Sequence, residues 1–138
     1  MNEIGSLIEA YKNAVFQKDL PAFLSLFDEQ VRVFDMWEQW TYEGLDAWGE
    51  MVKGWFSSLG TDRDAIRFDD VQIRAAGEMA LVSAIVRFTA VSESGEALRW
   101  LENRLTWGLL KKDGVWKIVH QHTSGPIDFK TMKVVLQR

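Results

Sequence analysis

The sequence contains no cysteine, which excludes disulfide scaffolds, thiol catalysis and cysteine-ligated zinc. It has no excess of positive charge: the net charge is −4, so nucleic acid is not an expected partner. Long hydrophobic runs are absent as well. The longest uncharged apolar stretch, Met79 to Val86, falls far short of the roughly 20 residues a membrane span needs, and no membrane partner is expected. Glu3, Glu9 and Lys12 leave no room for the apolar region of a signal peptide, so a cytoplasmic location is expected. There is no nucleophile elbow, phosphate-binding glycine loop or dinucleotide fingerprint, and the glycines sit at turns and element ends. No cofactor and no metal are therefore expected. Proline occurs only twice, and neither repeats nor linkers are visible, so residues 1–138 form one domain. What the chain does have is aromatic carbon: seven Trp, eight Phe and two Tyr, enough for a core that also lines a pocket.

The first half carries helical periodicity. Ile4, Leu7, Ile8, Tyr11, Ala14 and Val15 mark one buried face of a helix over about residues 2–18. Asp19 caps a second, short helix with Pro21 in its first turn and Phe23, Leu24, Leu26 and Phe27 on its apolar side. Val31–Asp35 is a first strand, residues 36–43 a Trp-rich connection, and Gly44 to about Leu59 a third helix with Leu45, Trp48, Met51, Val52, Trp55 and Phe56 on one face. The second half is strand-like over Ile66–Ala75, Met79–Ser92, Ala97–Lys111 and Val115–Ser124. Turns at Ala76–Glu78, Ser92–Glu96 and Lys112–Gly114 make these strands an antiparallel meander, with Asp113-Gly114 a strong hairpin signal. Helices first and a long sheet afterwards define an α+β fold, with three N-terminal helices on the concave face of a curved antiparallel sheet and a cavity inside the resulting cone.

Three stretches carry a family resemblance: Lys18–Phe27, Val31–Asp35 followed by Tyr42-Glu43-Gly44, and Gly114–Pro126. In order and spacing they resemble the NTF2-like superfamily, in particular its SnoaL-like and ketosteroid-isomerase-like branch, over nearly the whole chain. The resemblance implies a cone-shaped, cystatin-like α+β barrel, a pocket at its wide end for a small apolar organic ligand, and a homodimer through the outer face of the sheet. The implied activity is that of an isomerase, cyclase or dehydratase acting on an apolar carbonyl compound. The alternative is a non-catalytic ligand-binding or dimerisation module of the same fold. Recognition of a protein partner, as in nuclear transport factor 2, is disfavoured by the absence of an acidic partner-binding stretch.

Asp35 is the first candidate. It continues the phase of Val31 and Val33, and a carboxylate on a buried strand face is unusual. By the resemblance it is a general base, and Tyr11 on the first helix is an oxyanion donor. The separation of the two along the chain equals that in ketosteroid isomerases without a gap. The protonated carboxylic acid that those enzymes add from a late strand has no counterpart here, where Thr106 is expected near its position. The bland alternative makes Asp35 half of a buried ion pair or a local cap, and Tyr11 a core residue.

Glu102, Arg104 and Thr106 share one strand face, which the resemblance to kinase association domains turns toward the cavity. There Arg104 would pair with Asp35 or Glu102, or clamp a ligand carboxylate. His120 and His122 share a face with Trp116, Ile118 and Ser124, expected to be the concave one. They are candidates for acid–base work, as in the related scytalone dehydratase, or for hydrogen-bonded rim residues; a metal site would need a third ligand from Asp35 or Glu102. Trp37 and Trp40 are expected at the pocket mouth, and Trp116 along its wall. Leu101, Leu105, Trp107 and Leu109 alternate out of phase with Arg104 and are expected on the outer face as the homodimer interface.

Overall fold

The apolar stripe of the first helix is realised over Asn2–Gln17 (α1) in the computed structural model, which describes residues 2–138, the side chain of Asn2 excepted. Ile4, Leu7, Ile8, Tyr11, Ala14 and Val15 are all buried. The helix stops where Lys18 enters the left-handed region (φ 54), and the amides of Lys18 and Asp19 close onto the carbonyls of Val15 and Ala14. Asp19 caps α2 (Leu20–Leu24) by accepting the Ala22 N–H at 3.1 Å. This helix is shorter than expected, because Phe27 already belongs to β1 (Phe27–Phe34), which starts four residues before the strand predicted at Val31. After the Trp-rich connection come β2 (Tyr42–Glu43) and α3 (Gly44–Ser58).

The meander follows as β3 (Arg63–Ala76), β4 (Met79–Val91), β5 (Ala97–Lys112) and β6 (Val115–Ser124). Asp113 (φ 50) and Gly114 (φ 79) make the β5–β6 turn with two left-handed residues, the geometry that matches strand twist in a tight hairpin. The six-stranded sheet has the order β2-β1-β6-β5-β4-β3 and does not close. Its four-strand meander is antiparallel as expected, but β1 lies parallel to β6, so the sheet is mixed. No hairpin joins β1 to β6. A connection through α3 and the meander leaves their relative direction free.

The helices cover the concave face. On β5 that face carries Asn103, Leu105, Trp107 and Leu109, all buried, with the Tyr11 ring 5.4 Å from that of Trp107. The expected assignment of β5 is therefore reversed. Leu105, Trp107 and Leu109 are core and Leu101 lines the cavity, so none of the four forms an outer interface, whereas Glu102, Arg104 and Thr106 point outward. Alternation defines two sets of residues but not which set faces in. Burial of the indole and leucine carbon against the helices decides it.

A second phase change sits on β6. Gly108 pairs with His120 but Leu109 pairs with Ile118, so Val119 is an extra residue, a β-bulge. Ile118 points inward, and after the bulge Gln121 and Thr123 take the inward positions. Beyond β6 the chain turns back on itself through an Ile127–Val134 bridge. It then runs beside the end of β5, where the Glu102 N–H donates to the Leu136 carbonyl at 2.7 Å. Gly125 makes this return possible: a Cβ there would lie 2.7 Å from Val134 Cγ2 and 3.1 Å from the Val135 carbonyl oxygen.

Candidate functional site

Between α1, α3, the concave strand face and the returning C-terminal segment lies a cavity of about 830 Å³. β1 delivers Asp35 to it, because Asp35 continues the inward phase of Val31 and Val33. One carboxylate oxygen accepts the Trp37 N–H at 3.3 Å and the other the Thr123 hydroxyl at 3.2 Å. Thr123 Oγ1 itself accepts the Met36 N–H at 2.9 Å, which leaves its proton directed at Asp35. Among the described residues no cation pairs with Asp35. Burial pushes its carboxyl up from the ordinary range, and the two donors only partly offset this.

Tyr11 faces the same cavity from α1. Its ring packs among Phe23, Phe68 and Trp107, and among the described residues none hydrogen-bonds its hydroxyl. Burial, then the charges of Asp35 and Asp64, push the phenol far up, so it remains a neutral O–H donor. Tyr11 and Asp35 therefore line the same cavity, a neutral phenol and a carboxylate turned into one apolar-walled space.

Sequence reasoning missed two further acidic residues of the cavity wall, the exposed Glu38 and the buried Asp64. Asp64 on β3 is 8% exposed and accepts the Trp55 indole N–H at 2.9 Å. Burial raises its carboxyl from the ordinary range, and the Trp55 hydrogen bond and the charge of Arg99 pull the other way. The signal was present, since Asp64, Ile66 and Phe68 share a strand phase. Asn103 and Gln121 were missed with the inverted phases. Gln121 Oε1 accepts the Trp107 indole N–H at 2.9 Å, while Asn103 Oδ1 is buried without a partner. Val135, Leu136 and Gln137 complete the wall from a segment in which no functional signal was read.

Several expected site residues lie elsewhere. Arg104 is on the outer face, exposed, donating to Ser124 Oγ at 3.0 Å, and pairs with neither Asp35 nor a cavity ligand. Glu102 is also outside the cavity. Arg138 grips it through two side-chain nitrogens at 3.0 and 2.9 Å, Arg87 lies at 3.3 Å, and its carboxyl is held down to about 2. His120 and His122 point outward because the Val119 bulge flips their phase, and Phe34 packs edge-on to both imidazoles at 5.1 and 5.5 Å. Neither is an acid–base group of the cavity. Among the described residues no group of three metal-ligating side chains occurs. Trp116 faces inward but at the far end of the sheet, where its indole donates to Glu3 at 3.3 Å, so it does not line the cavity. Trp37 does line it, whereas Trp40 is 95% exposed in the connection and does not.

Three helices over a curved, unclosed mixed sheet, with a cavity between the layers, define an NTF2-like, cystatin-like α+β fold. The chain belongs to the SnoaL-like domain family, which matches residues 4–128. It is similar to an NTF2-like protein of unknown function from Pseudomonas putida, at 24% identity and TM-score 0.86, covering 99% of this chain and 94% of that one. An NTF2-like superfamily protein from Salmonella enterica is similar at 22% identity and TM-score 0.74, covering 93% and 92%. A protein with a cystatin-like fold from Caulobacter vibrioides is similar at 18% identity and TM-score 0.70, covering 97% and 88%. No curated protein sequence matches. Among the described residues no helix is long and apolar enough to cross a membrane.

Proposed function

We propose that the cavity binds a small, largely apolar organic molecule and that Asp35 acts there as a general base on a carbonyl compound. The observation that carries this reading is a half-buried carboxylate without a cation, facing a cavity that also holds the free phenol of Tyr11. Asp35 takes a proton from the carbon next to the carbonyl. The C–H electron pair becomes the new C=C bond, and the carbonyl oxygen takes up the negative charge. Tyr11 donates to that oxygen, and Asp35 returns the proton to the same or another carbon, so no co-reactant is consumed. The test is solvent deuterium exchange into a panel of apolar ketones. Exchange by wild type that is lost in Asp35→Asn supports the reading, and equal exchange by the variant refutes it.

One observation favours the second reading, a ligand-binding module without chemistry. No second carboxylic acid comes from β5: Thr106 points outward, and the inward position nearby is the neutral Asn103. A ligand recovered unchanged, with no deuterium incorporated, supports that reading. We propose separately that the outer face forms a homodimer, because Leu81 is exposed and Phe34 and Ile85 are half-buried on the side of the sheet away from the helices. A monomer in sedimentation equilibrium refutes it.

A further inference from the structure

Among the described residues, the cavity wall holds polar groups without partners, the Tyr11 hydroxyl and the Trp48 indole N–H as donors and Asn103 Oδ1 as an acceptor, and its β3 side carries a carboxylate. Asp64 is more than nine-tenths buried, and its single hydrogen bond, from Trp55, occupies Oδ2. Among the described residues nothing donates to Oδ1. Asn103 Oδ1, on the same concave face, is buried and has no partner among them. A buried acceptor without a donor is unfavourable, and a carboxylate oxygen that no protein group donates to is open to a donor on a ligand. Among the described residues the cavity lining has one basic residue, Arg99, against three acidic ones, Asp35, Glu38 and Asp64. Arg99 stands two strands from Asp64 on the same face, with Ala90 between them. It is exposed, and the two make no ion pair within 4.0 Å. The surroundings of Asp64 are aromatic. The Trp55 ring that donates to it lies 6.0 Å from Phe88, and both line the cavity. A carboxylate beside aromatic rings is a chemistry that selects protonated amines, through a charge-assisted hydrogen bond together with attraction to the ring faces.

We propose that the ligand of this cavity carries a protonated amine and that Asp64, oriented by Trp55, is the residue that binds it. The inference rests on the reading of the cavity as a small-molecule site and narrows its ligand to an amine with an apolar body. Asp64 holds the ammonium on β3, while Asp35 and Tyr11 meet the part of the molecule that reaches β1 and α1. Asp64 thereby sets specificity and takes no part in proton transfer.

The test compares phenethylamine, phenethyl alcohol and phenylpropionate by calorimetric titration of the whole chain at neutral pH. The amine is expected to bind wild type about tenfold or more tightly than the alcohol, with phenylpropionate weakest. In Asp64→Asn the amine and the alcohol become equal, while Asp35→Asn retains the preference. Alcohol or phenylpropionate binding as tightly as the amine to wild type overturns the inference about Asp64 and leaves the small-molecule reading intact. That comparison needs no variant, so it stands even if Asp64→Asn folds poorly. A preference for the amine that survives in folded Asp64→Asn also overturns it. Binding of none of the three at millimolar concentration overturns the inference and counts against the reading of the cavity as well.

Discussion

Asp35 and Glu102 are both carboxylates of one sheet, shielded to different degrees from water, and the fold treats them in opposite ways. Glu102, on the outer face, is gripped by two guanidiniums, and its carboxyl is held down to about 2. Asp35, on the concave face, has among the described residues an amide and a hydroxyl as its donors and no cation, and burial pushes its carboxyl up. An anion that the structure neutralises supports the structure. An anion left without a counter-charge beside a cavity is available to a ligand. The difference separates a fastening from a site, although both are acidic residues on β-strands or their ends.

The largest effect that can break this comparison is on chemistry. Asp35→Asn is expected to lower kcat for deuterium exchange by about 10²–10⁴-fold with little change in ligand affinity, read by exchange kinetics alongside titration. Glu102→Gln is expected to leave the chemistry of Asp35 in place and to weaken the fold by about 1–3 kcal/mol, measured by urea unfolding, because charged hydrogen bonds to Arg138 and Arg87 are lost. The wild-type contribution of Glu102 has its own pH signature. Its folded value lies below the ordinary 4.5, so the stabilisation is present above pH 4.5 and is lost as pH falls toward about 2. Smallest of all is the outer pair. His120→Ala and His122→Ala are expected to shift neither exchange rate nor ligand affinity and to change stability within about 0.5 kcal/mol each, checked by the same two assays. A large loss of exchange in either histidine variant would erase the distinction between the faces.

The fold was legible because its signals are local and repeated. The stripe on α1, the Asp19 cap with Pro21 behind it, and Asp113-Gly114 each state one element plainly, and their order defines the α+β architecture. Tyr11 and Asp35 were legible for the same reason: each continues an apolar phase whose direction is not in doubt. The other site residues depended on phases that sequence does not settle. On β5, the family resemblance turns Arg104 inward and so sends Trp107 and Leu105 outward, against the preference of apolar carbon for the helix-covered face. On β6 the extra residue at Val119 reverses the faces in mid-strand, and nothing in Ile118-Val119-His120 announces it. Asp64 is readable from its phase with Ile66 and Phe68, but a charged pair at Arg63-Asp64 hides the start of β3, and the apolar pattern begins only at Ile66. The C-terminal wall had no periodicity to read, because its place beside β5 comes from backbone pairing and the grip of Arg138.

The unfolding free energy of wild type and Asp35→Asn, measured side by side from acid to neutral pH, tests most directly whether the concave carboxylate is held without a counter-charge. A folded value raised above the ordinary 3.8 means that the contribution of Asp35 to stability is full below pH 3.8 and is lost as pH rises through the raised value. The account therefore predicts a variant as stable as wild type in acid and equal or more stable at neutral pH. A variant that loses about 3–5 kcal/mol at neutral pH, as a buried ion pair broken on one side does, would contradict it.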